Sequence, residues 1–297
     1  MNARNLIGAL AAAGLIVATP AIAAHGTSSD GGAAASGTSQ RSADRAASAL
    51  SEIEVVTYHS AAGGSTTVSL SSDGNIVSYR GPDKAGAVYE HIGVGAEGEG
   101  YVLCYNTTAG QVNTYDTGVA MSGWGTPTFT SLSATSSRVV RSTADGRLTM
   151  TQLFTFDGPN RAINVDMTVK NNTAASIGGI ILRRQVDFDV DTSGANGWAD
   201  FANWHANDTH TSSFAFNDPS LAPAGSEAHA MMLQYAGNFA KGHFAKVTGN
   251  ILDSTCTAST QVISLPAHGD FGNTQQFQIG TLAAGAQITA AVRYIRF

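Results

Sequence analysis

The sequence predicts an all-β protein, a large antiparallel β-sandwich. Residues 162–170 alternate strictly, with apolar side chains at the odd positions and polar ones between them, which is typical of a strand with one buried face. Asp73-Gly74 is a short hairpin turn signal between two further strands. No stretch longer than a few turns combines a 3.6-residue apolar period with helix caps, so long helices are not expected.

The other strands are expected from runs of β-branched and aromatic residues bounded by Gly, Asn or Asp. Turn residues from Asn171 to Gly179 lead to a strand at 180–191, which is predicted to form a hairpin with the strand at 162–170. Further strands are expected at 66–70, 75–79, 100–105, 147–156, 277–279 and 287–297.

The N-terminus has the pattern of an export signal. Arg4 precedes a mostly apolar stretch at 6–17, and Ala21 and Ala23 provide small residues for cleavage. This stretch is shorter than the roughly 20 residues of a membrane span. We expect a signal peptide at 1–23, a flexible Gly/Ser/Ala-rich leader at 24–50 and a single sandwich domain at 51–297, located outside the cytoplasm, either secreted or periplasmic.

Charge argues against two classes of partner. The chain carries 16 basic and 22 acidic residues, a net charge of −6, without a cluster of Lys or Arg. Binding to nucleic acid or to an anionic membrane surface needs such clusters, so neither is expected. No second apolar span follows the signal, so no transmembrane anchor is expected in the mature chain.

Two cysteines, Cys104 and Cys256, remain in an oxidising compartment. One interpretation is a single disulfide that closes a very long loop. The other is two separate buried thiols that act as small apolar side chains. The spacing leaves both open.

An acidic strand end is the best candidate for a metal site. Asp187, Asp189 and Asp191 would share one face of a strand, and residues 185–240 contain seven acids but no Lys or Arg. Ca²⁺, held by these carboxylates together with Asp200, would relieve their repulsion. The alternative is a solvated acidic strand end.

The loop expected after this strand is the candidate ligand site. It contains Trp198, Trp204, His205 and His210, and such aromatic and imidazole groups on an exported β-scaffold suit a glycan platform. The alternative is that the Trp side chains plug the end of the sandwich.

Several motifs together resemble a known group of proteins. They are AEGEGY at 96–101, NVDMTVKNNT at 164–173, LRRQVDFDVD at 182–191, HGDF at 268–271 and FQIGTLAAG at 277–285. The series, over residues 89–297, resembles exported bacterial β-sandwich proteins of unknown function with a supersandwich fold like that of galactose mutarotases. Glu99 and Phe188 replace Trp residues of that pattern. The resemblance implies a fold and, through the mutarotase comparison, sugar binding, but no catalytic residue can be matched.

Three functions are therefore compared. The leading hypothesis is a non-enzymatic exported binding or structural module stabilised by calcium. The first alternative is a carbohydrate-binding protein or carbohydrate-active enzyme of mutarotase, lyase or hydrolase type, with a glycan or another extracellular ligand as partner. The second is an outer-membrane β-barrel, which the polar Arg293 beside Ile295 in the last strand disfavours.

Overall fold

The computed structural model describes residues 54–60, 65–82, 86–93, 98–190, 203–208, 210–217, 229–249, 252–257 and 264–297. All of them belong to one compact unit. The predicted signal peptide and leader lie outside the described residues, as do Asp191, Trp198 and Asp200.

The described chain is built from β-strands and one 3₁₀ turn at Gly158–Asn160. The strands are β1 (Glu54–Ser60), β2 (Thr66–Ser71), β3 (Ile76–Pro82), β4 (Val88–Glu90), β5 (Glu99–Thr107), β6 (Gly110–Asp116), β7 (Met121–Ser122), β8 (Thr128–Ser133), β9 (Ser136–Ser142), β10 (Leu148–Asp157), β11 (Ala162–Asn171), β12 (Ile177–Asp187), β13 (Asn203–Asn207), β14 (Ser212–Asn217), β15 (Ala230–Ala236), β16 (His243–Thr248), β17 (Ala267–His268), β18 (Gly272–Leu282) and β19 (Gln287–Arg296).

These strands form three antiparallel sheets. A four-stranded sheet has the order β1-β2-β3-β4, and a six-stranded sheet has the order β16-β18-β12-β5-β6-β7. The largest sheet has nine strands in the order β17-β13-β14-β15-β19-β11-β10-β9-β8. The predicted all-β antiparallel sandwich is confirmed.

One hydrophobic core joins the three sheets. Leu70 from the four-stranded sheet, Leu103 from the six-stranded sheet and Val165 from the nine-stranded sheet belong to the same buried cluster. The strand predicted at 162–170 is β11, and its odd positions face this core as the alternation indicates. Burial of one face of each sheet is what holds the layers together.

The predicted hairpin between the strands at 162–170 and 180–191 is wrong. β11 pairs with β10 and β19, whereas β12 pairs with β5 and β18 in the other large sheet. The connection between them therefore crosses from one sheet to the other. Alternation shows that a strand has one buried face, but it does not show which sheet contains that strand.

The predicted acidic end of the strand at 180–191 also differs from the structure. β12 begins at Ile177 and ends at Asp187, four residues before the predicted end. Asp187 and Asp189 are both buried, so a solvated strand end is wrong for these two residues. Their apolar neighbours Phe188 and Val190 complete the hydrophobic core at this point.

The disulfide between Cys104 and Cys256 is present, with an S–S distance of 2.00 Å. It fastens the segment 252–257 to β5 on the outer face of the six-stranded sheet. Arg183 of β12 reinforces the attachment, because its Nη1 lies 2.7 Å from Asp253 Oδ2 and also donates to the carbonyl of Thr255. The bridged interpretation of the two cysteines is confirmed.

Candidate functional site

Three aromatic side chains meet at one end of the sandwich, where β4 and β12 end and β15 begins. Tyr89 lies on β4, His91 follows it directly, and His229 immediately precedes β15. The ring centroid of His229 lies 5.8 Å from that of Tyr89 and 6.2 Å from that of His91. We call these three residues the imidazole cluster.

The backbone of this cluster is held by a neighbouring carboxylate. Oε1 of Glu90 accepts hydrogen bonds from the N–H groups of Tyr79 at 2.7 Å and of His91 and Gly93 at 3.1 Å. Burial by itself raises the pKa of Glu90, but these bonds, with those from Ser78 and Arg80, hold it below its ordinary value. Glu90 therefore stays charged and fixes the turn that presents His91.

His91 is a neutral imidazole. Burial, together with the nearby Arg296 guanidinium, lowers its pKa to about 3 against a smaller opposing effect of the Glu90 carboxylate. A neutral imidazole offers one hydrogen-bond donor and one acceptor. His91 can therefore donate one hydrogen bond and accept another while it stays uncharged.

Two acidic residues, one at the end of β12 and one just beyond it, lie beside the backbone of this end of the sandwich. The backbone N–H of Asp189 donates to the carbonyl of His91 at 3.1 Å, and that of Asp187 donates to the carbonyl of Gly98 at 2.7 Å. These bonds place the end of β12 beside the imidazole cluster. Asp187 and Asp189 thus add two buried acidic side chains to this end of the sandwich.

Arg296 brings a guanidinium to the cluster from the end of β19. Its side chain is buried and donates to the carbonyl of Pro82. A Cβ atom at Gly81 would overlap the guanidinium of Arg296, so a side chain there would have to displace the guanidinium from β3.

All of these groups are largely buried, and their exposed fractions indicate which of them lie nearest the surface. Tyr89, His229 and Asp187 retain 8%, 7% and 6% of their surface, whereas Asp189 retains 3% and His91 none. A ligand at this end would touch the first three groups. His91 and Asp189 lie behind them and would act through proton exchange or positioning.

The structure separates the residues predicted for the glycan loop. The expected loop contains β13 and β14, and Trp204 of β13 is partly exposed on the outer face of the nine-stranded sheet. There its ring lies 5.1 Å from that of His268, and Phe216 lies opposite on β14. Trp204 and His268 form a small aromatic surface at the same end of the sheet as the imidazole cluster.

His205 and His210 do not join this surface. His205 points into the core, where its Nδ1 lies 2.8 Å from Asn273 Oδ1 and burial lowers its pKa to about 4. His210 lies in the turn after β13, and the four residue steps from Trp204 to Asp208 span about 13 Å of extended chain. Trp204, His205 and His210 therefore do not lie together on one surface, as the predicted glycan platform requires.

The predicted metal ligands are only partly described. Asp187 and Asp189 lie near each other in the chain and are buried, while Asp191 and Asp200 lie outside the described residues. Among the residues that the structure describes, no three His, Cys, Asp or Glu side chains are grouped as a metal site.

Sequence reasoning missed the imidazole cluster and Arg296. These residues come from positions 89, 91, 229 and 296 and form no motif. Only the sheet order, which places β15 beside β19 and β4 at an edge, brings them together. The one local feature of the sequence that could have indicated this cluster is the Tyr-x-His spacing of Tyr89 and His91.

Comparisons with known proteins show the fold but no family. No family model and no curated protein sequence matches the chain. Among solved structures, a bacterial glucoamylase in complex with acarbose is similar with a TM-score of 0.50 and 8% sequence identity, over 83% of this chain and 32% of that chain. This chain thus spans about a third of the glucoamylase.

A galactose mutarotase related enzyme from Lactobacillus acidophilus is also similar, with a TM-score of 0.46 and 8% identity, over 82% of this chain and 97% of that chain. At this level of identity, structural likeness concerns the fold alone. In the described part of the chain, no helix is long and apolar enough to cross a membrane.

Proposed function

We propose that this protein binds carbohydrate at the end of the sandwich formed by the imidazole cluster, Asp187, Asp189 and Arg296. The observation that carries the proposal is the convergence of two imidazoles, two carboxylates and a guanidinium from four distant parts of the chain. Titratable groups with shifted pKa values that gather in one place are a recognised mark of a functional site.

The chemistry of the cluster suits a saccharide. Sugar hydroxyls both donate and accept hydrogen bonds, and the cluster supplies both kinds of partner. Asp187 accepts, the imidazole of His229 donates, and the hydroxyl of Tyr89 does both. The ring of Tyr89 adds an apolar surface for the C–H face of a sugar, as in many small-molecule sites.

The similarity in fold to the glucoamylase also favours a carbohydrate ligand. The glucoamylase structure that is similar in fold is a complex with acarbose. This favours the carbohydrate alternative over a purely structural module. The proposal for this chain rests on its own residues, because the likeness covers only a third of the glucoamylase.

A binding panel tests the proposal. The purified protein is titrated calorimetrically with glucose, galactose, maltotriose and acarbose, beside the variants H229A and Y89F. The matched control is H243A, since the ring of His243 also packs on a tyrosine, Tyr235, but His243 lies in β16, away from the imidazole cluster. We expect binding of at least one sugar, weakened at least tenfold by H229A and unchanged by H243A. No binding by the wild type, or equal binding by H229A, would overturn the proposal.

Acid–base chemistry on the bound sugar is a second candidate function. The specific observation that favours it is the pair of imidazoles, His91 and His229, whose ring centroids lie 6.2 Å apart beside the end of β12. Imidazoles and carboxylates are the usual groups for moving a proton near physiological pH. Polarimetry of freshly dissolved glucose and galactose tests it: we expect faster anomeric exchange with the wild type than with H229A, and equal rates would exclude it.

A calcium ion at the end of β12 remains part of the proposal. Two buried carboxylates, Asp187 and Asp189, would be stabilised by a hard cation with oxygen ligands, to which Asp191 and Asp200 would contribute. We also propose that the chain is exported, because the disulfide between Cys104 and Cys256 suits an oxidising compartment.

A further inference from the structure

Three buried oxygen atoms between the two large sheets have no hydrogen-bond partner. They are Oδ1 of Asn207, Oγ of Ser213 and Oε1 of Gln275, and no hydrogen bond joins them to one another or to any other atom of the described residues. Ser213 and Gln275 are completely buried. Buried polar atoms are nearly always paired with protein, water or an ion, so a group of three unpaired oxygens points to a bound partner.

Two of these oxygens lie side by side on the inner face of the nine-stranded sheet. Asn207 of β13 and Ser213 of β14 are direct cross-strand partners, so their side chains share one face of the sheet. His205, two residues before Asn207, lies on that face and contacts Asn273 of β18 in the six-stranded sheet. The face therefore looks toward the six-stranded sheet.

The third oxygen reaches the same place from the six-stranded sheet. Gln275 of β18 pairs with Ala245 of β16, and the carbonyl of Ala245 accepts a hydrogen bond from Nδ2 of Asn207 at 3.1 Å. Nε2 of Gln275 lies 3.4 Å from the carbonyl oxygen of His210, in the turn between β13 and β14. These two contacts cross between the sheets and place the Gln275 amide beside Asn207 and Ser213.

The same contacts fix the orientation of both amides. An amide nitrogen that faces a carbonyl oxygen cannot change places with its own oxygen, because two acceptors would then face each other. Oδ1 of Asn207 and Oε1 of Gln275 are therefore both acceptors without a donor. The hydroxyl of Ser213 carries one proton and could satisfy only one of them, so these three side chains cannot satisfy each other.

We propose that one water molecule binds between Asn207, Ser213 and Gln275 and joins the two large sheets there. The water donates to both amide oxygens and accepts from the Ser213 hydroxyl, which gives it three hydrogen bonds, the usual number for a buried water. Two partners of one water lie about 4.5 Å apart when each is about 2.8 Å from it, and this agrees with the lack of direct bonds among the three oxygens. The small side chains of Ser213 and Ala245 suit a water at this position.

A metal ion fits this site less well than water. All three oxygens are neutral, and hard cations such as Ca²⁺ take six or more oxygen ligands. The adjacent carboxylate of Asp208 is used within the turn, where it accepts hydrogen bonds from the N–H groups of His210, Thr211 and Ser212 and from the hydroxyls of Thr211 and Ser212. A buried cation without a carboxylate costs much more free energy than a neutral water with three hydrogen bonds.

A crystal structure of the wild-type protein, at a resolution that shows ordered water, tests the proposal. We expect a density peak about 2.7–3.0 Å from all three oxygens. The double variant S213A/Q275M removes two of the three partners with little change in side-chain volume, and we expect it to lose the peak. The matched control S137A removes another buried serine hydroxyl, which is bonded to Tyr58, and should keep the peak.

A measurement in solution separates water from a cation. We expect nuclear Overhauser contacts between water and the side-chain amide protons of Asn207 and Gln275, and a melting temperature that is unchanged when potassium or sodium chloride is replaced by choline chloride.

Three results would overturn the proposal. The first is a wild-type structure with no peak between the three oxygens, and the second is a peak that the double variant retains at full strength. The third is a peak about 2.3–2.5 Å from the oxygens together with a melting temperature that depends on the metal ion, which would assign a cation instead. The wild-type measurements decide the matter even if the double variant does not fold.

Discussion

Arg184 and Glu99 form an ion pair in the interior of the sandwich, with Nη2 of Arg184 2.7 Å from Oε2 of Glu99 and neither side chain exposed. Tyr294 of β19 donates its hydroxyl proton to Glu99 Oε1 at 2.6 Å, and Arg184 also donates to the carbonyl of Gly74 at 3.0 Å. The pair thus joins the two large sheets to the turn between β2 and β3 in the third.

Removal of one partner of this pair should be severely destabilising. In the variant E99A the Arg184 guanidinium remains buried without its carboxylate, which typically costs about 3–5 kcal/mol of unfolding free energy. Urea unfolding followed by circular dichroism measures the loss. The matched control is R80A, which removes an exposed ion pair with Glu90 and should cost less than about 1 kcal/mol. Similar losses for the two variants would show that the interior pair does not organise the core.

The disulfide should stabilise the protein strongly. Cys104 and Cys256 are 152 residues apart, and closing a loop of that length lowers the entropy of the unfolded chain by an amount equivalent to about 5 kcal/mol. We expect the double variant C104S/C256S to unfold at a lower urea concentration than the wild type. Dithiothreitol should lower the wild-type midpoint and leave the double variant unchanged. An effect of the reductant on both would show that it acts elsewhere.

Stability should rise with pH across the acidic range. Burial lowers the native pKa values of His91 and His205 to about 3 and about 4, against about 6.5 in an unfolded chain. The unfolded state therefore binds more protons below pH 6.5, and each histidine contributes stability that is present at neutral pH and lost as the pH falls toward its native pKa.

The slope from each histidine is at most about 1.4 kcal/mol per pH unit. Urea unfolding at pH 5, 6 and 7 measures it. The variant H205Q should reduce the slope between pH 5 and 6.5, whereas H59Q, at an exposed position of β1, should not. A slope that is the same in all three proteins would contradict a buried neutral His205.

Calcium should raise the thermal stability if the end of β12 holds the ion. We expect D189N to lower the melting temperature relative to the wild type in calcium, and to match it more closely in chelator, because the carboxylate is needed only when a cation is bound. Differential scanning calorimetry under both conditions makes the comparison. An equal loss in calcium and in chelator would argue against the metal.

The sequence predicts local strand structure well and sheet assignment poorly. The alternation at 162–170 identifies β11 because its period depends only on one buried face. The same alternation could not show that β12 lies in the opposite sheet, since that choice depends on β5 and β18, which are distant in the chain. Strands with little alternation, such as β8, were not predicted at all.

The candidate site could be predicted only in part. Asp187 and Asp189 stand out because three acids alternate along one short segment. Tyr89, His229 and Arg296 carry no such signal, because their proximity arises from the order of strands in the nine-stranded sheet, which sets β15 beside β19, and from the ring contact of Tyr89 on β4 with His229. Long-range pairings of this kind leave no periodic trace in a single sequence.

The most direct test of carbohydrate binding at the imidazole cluster is nuclear magnetic resonance of histidine-labelled protein titrated with maltotriose, galactose and acarbose. The chain has eight histidines, which act as reporters over the whole molecule. We predict that a sugar shifts the imidazole resonances of His229 and His91 and leaves those of His59 and His243 in place. Resonances that all stay unchanged at saturating sugar, or shifts confined to His59 or His243, would contradict the proposed site.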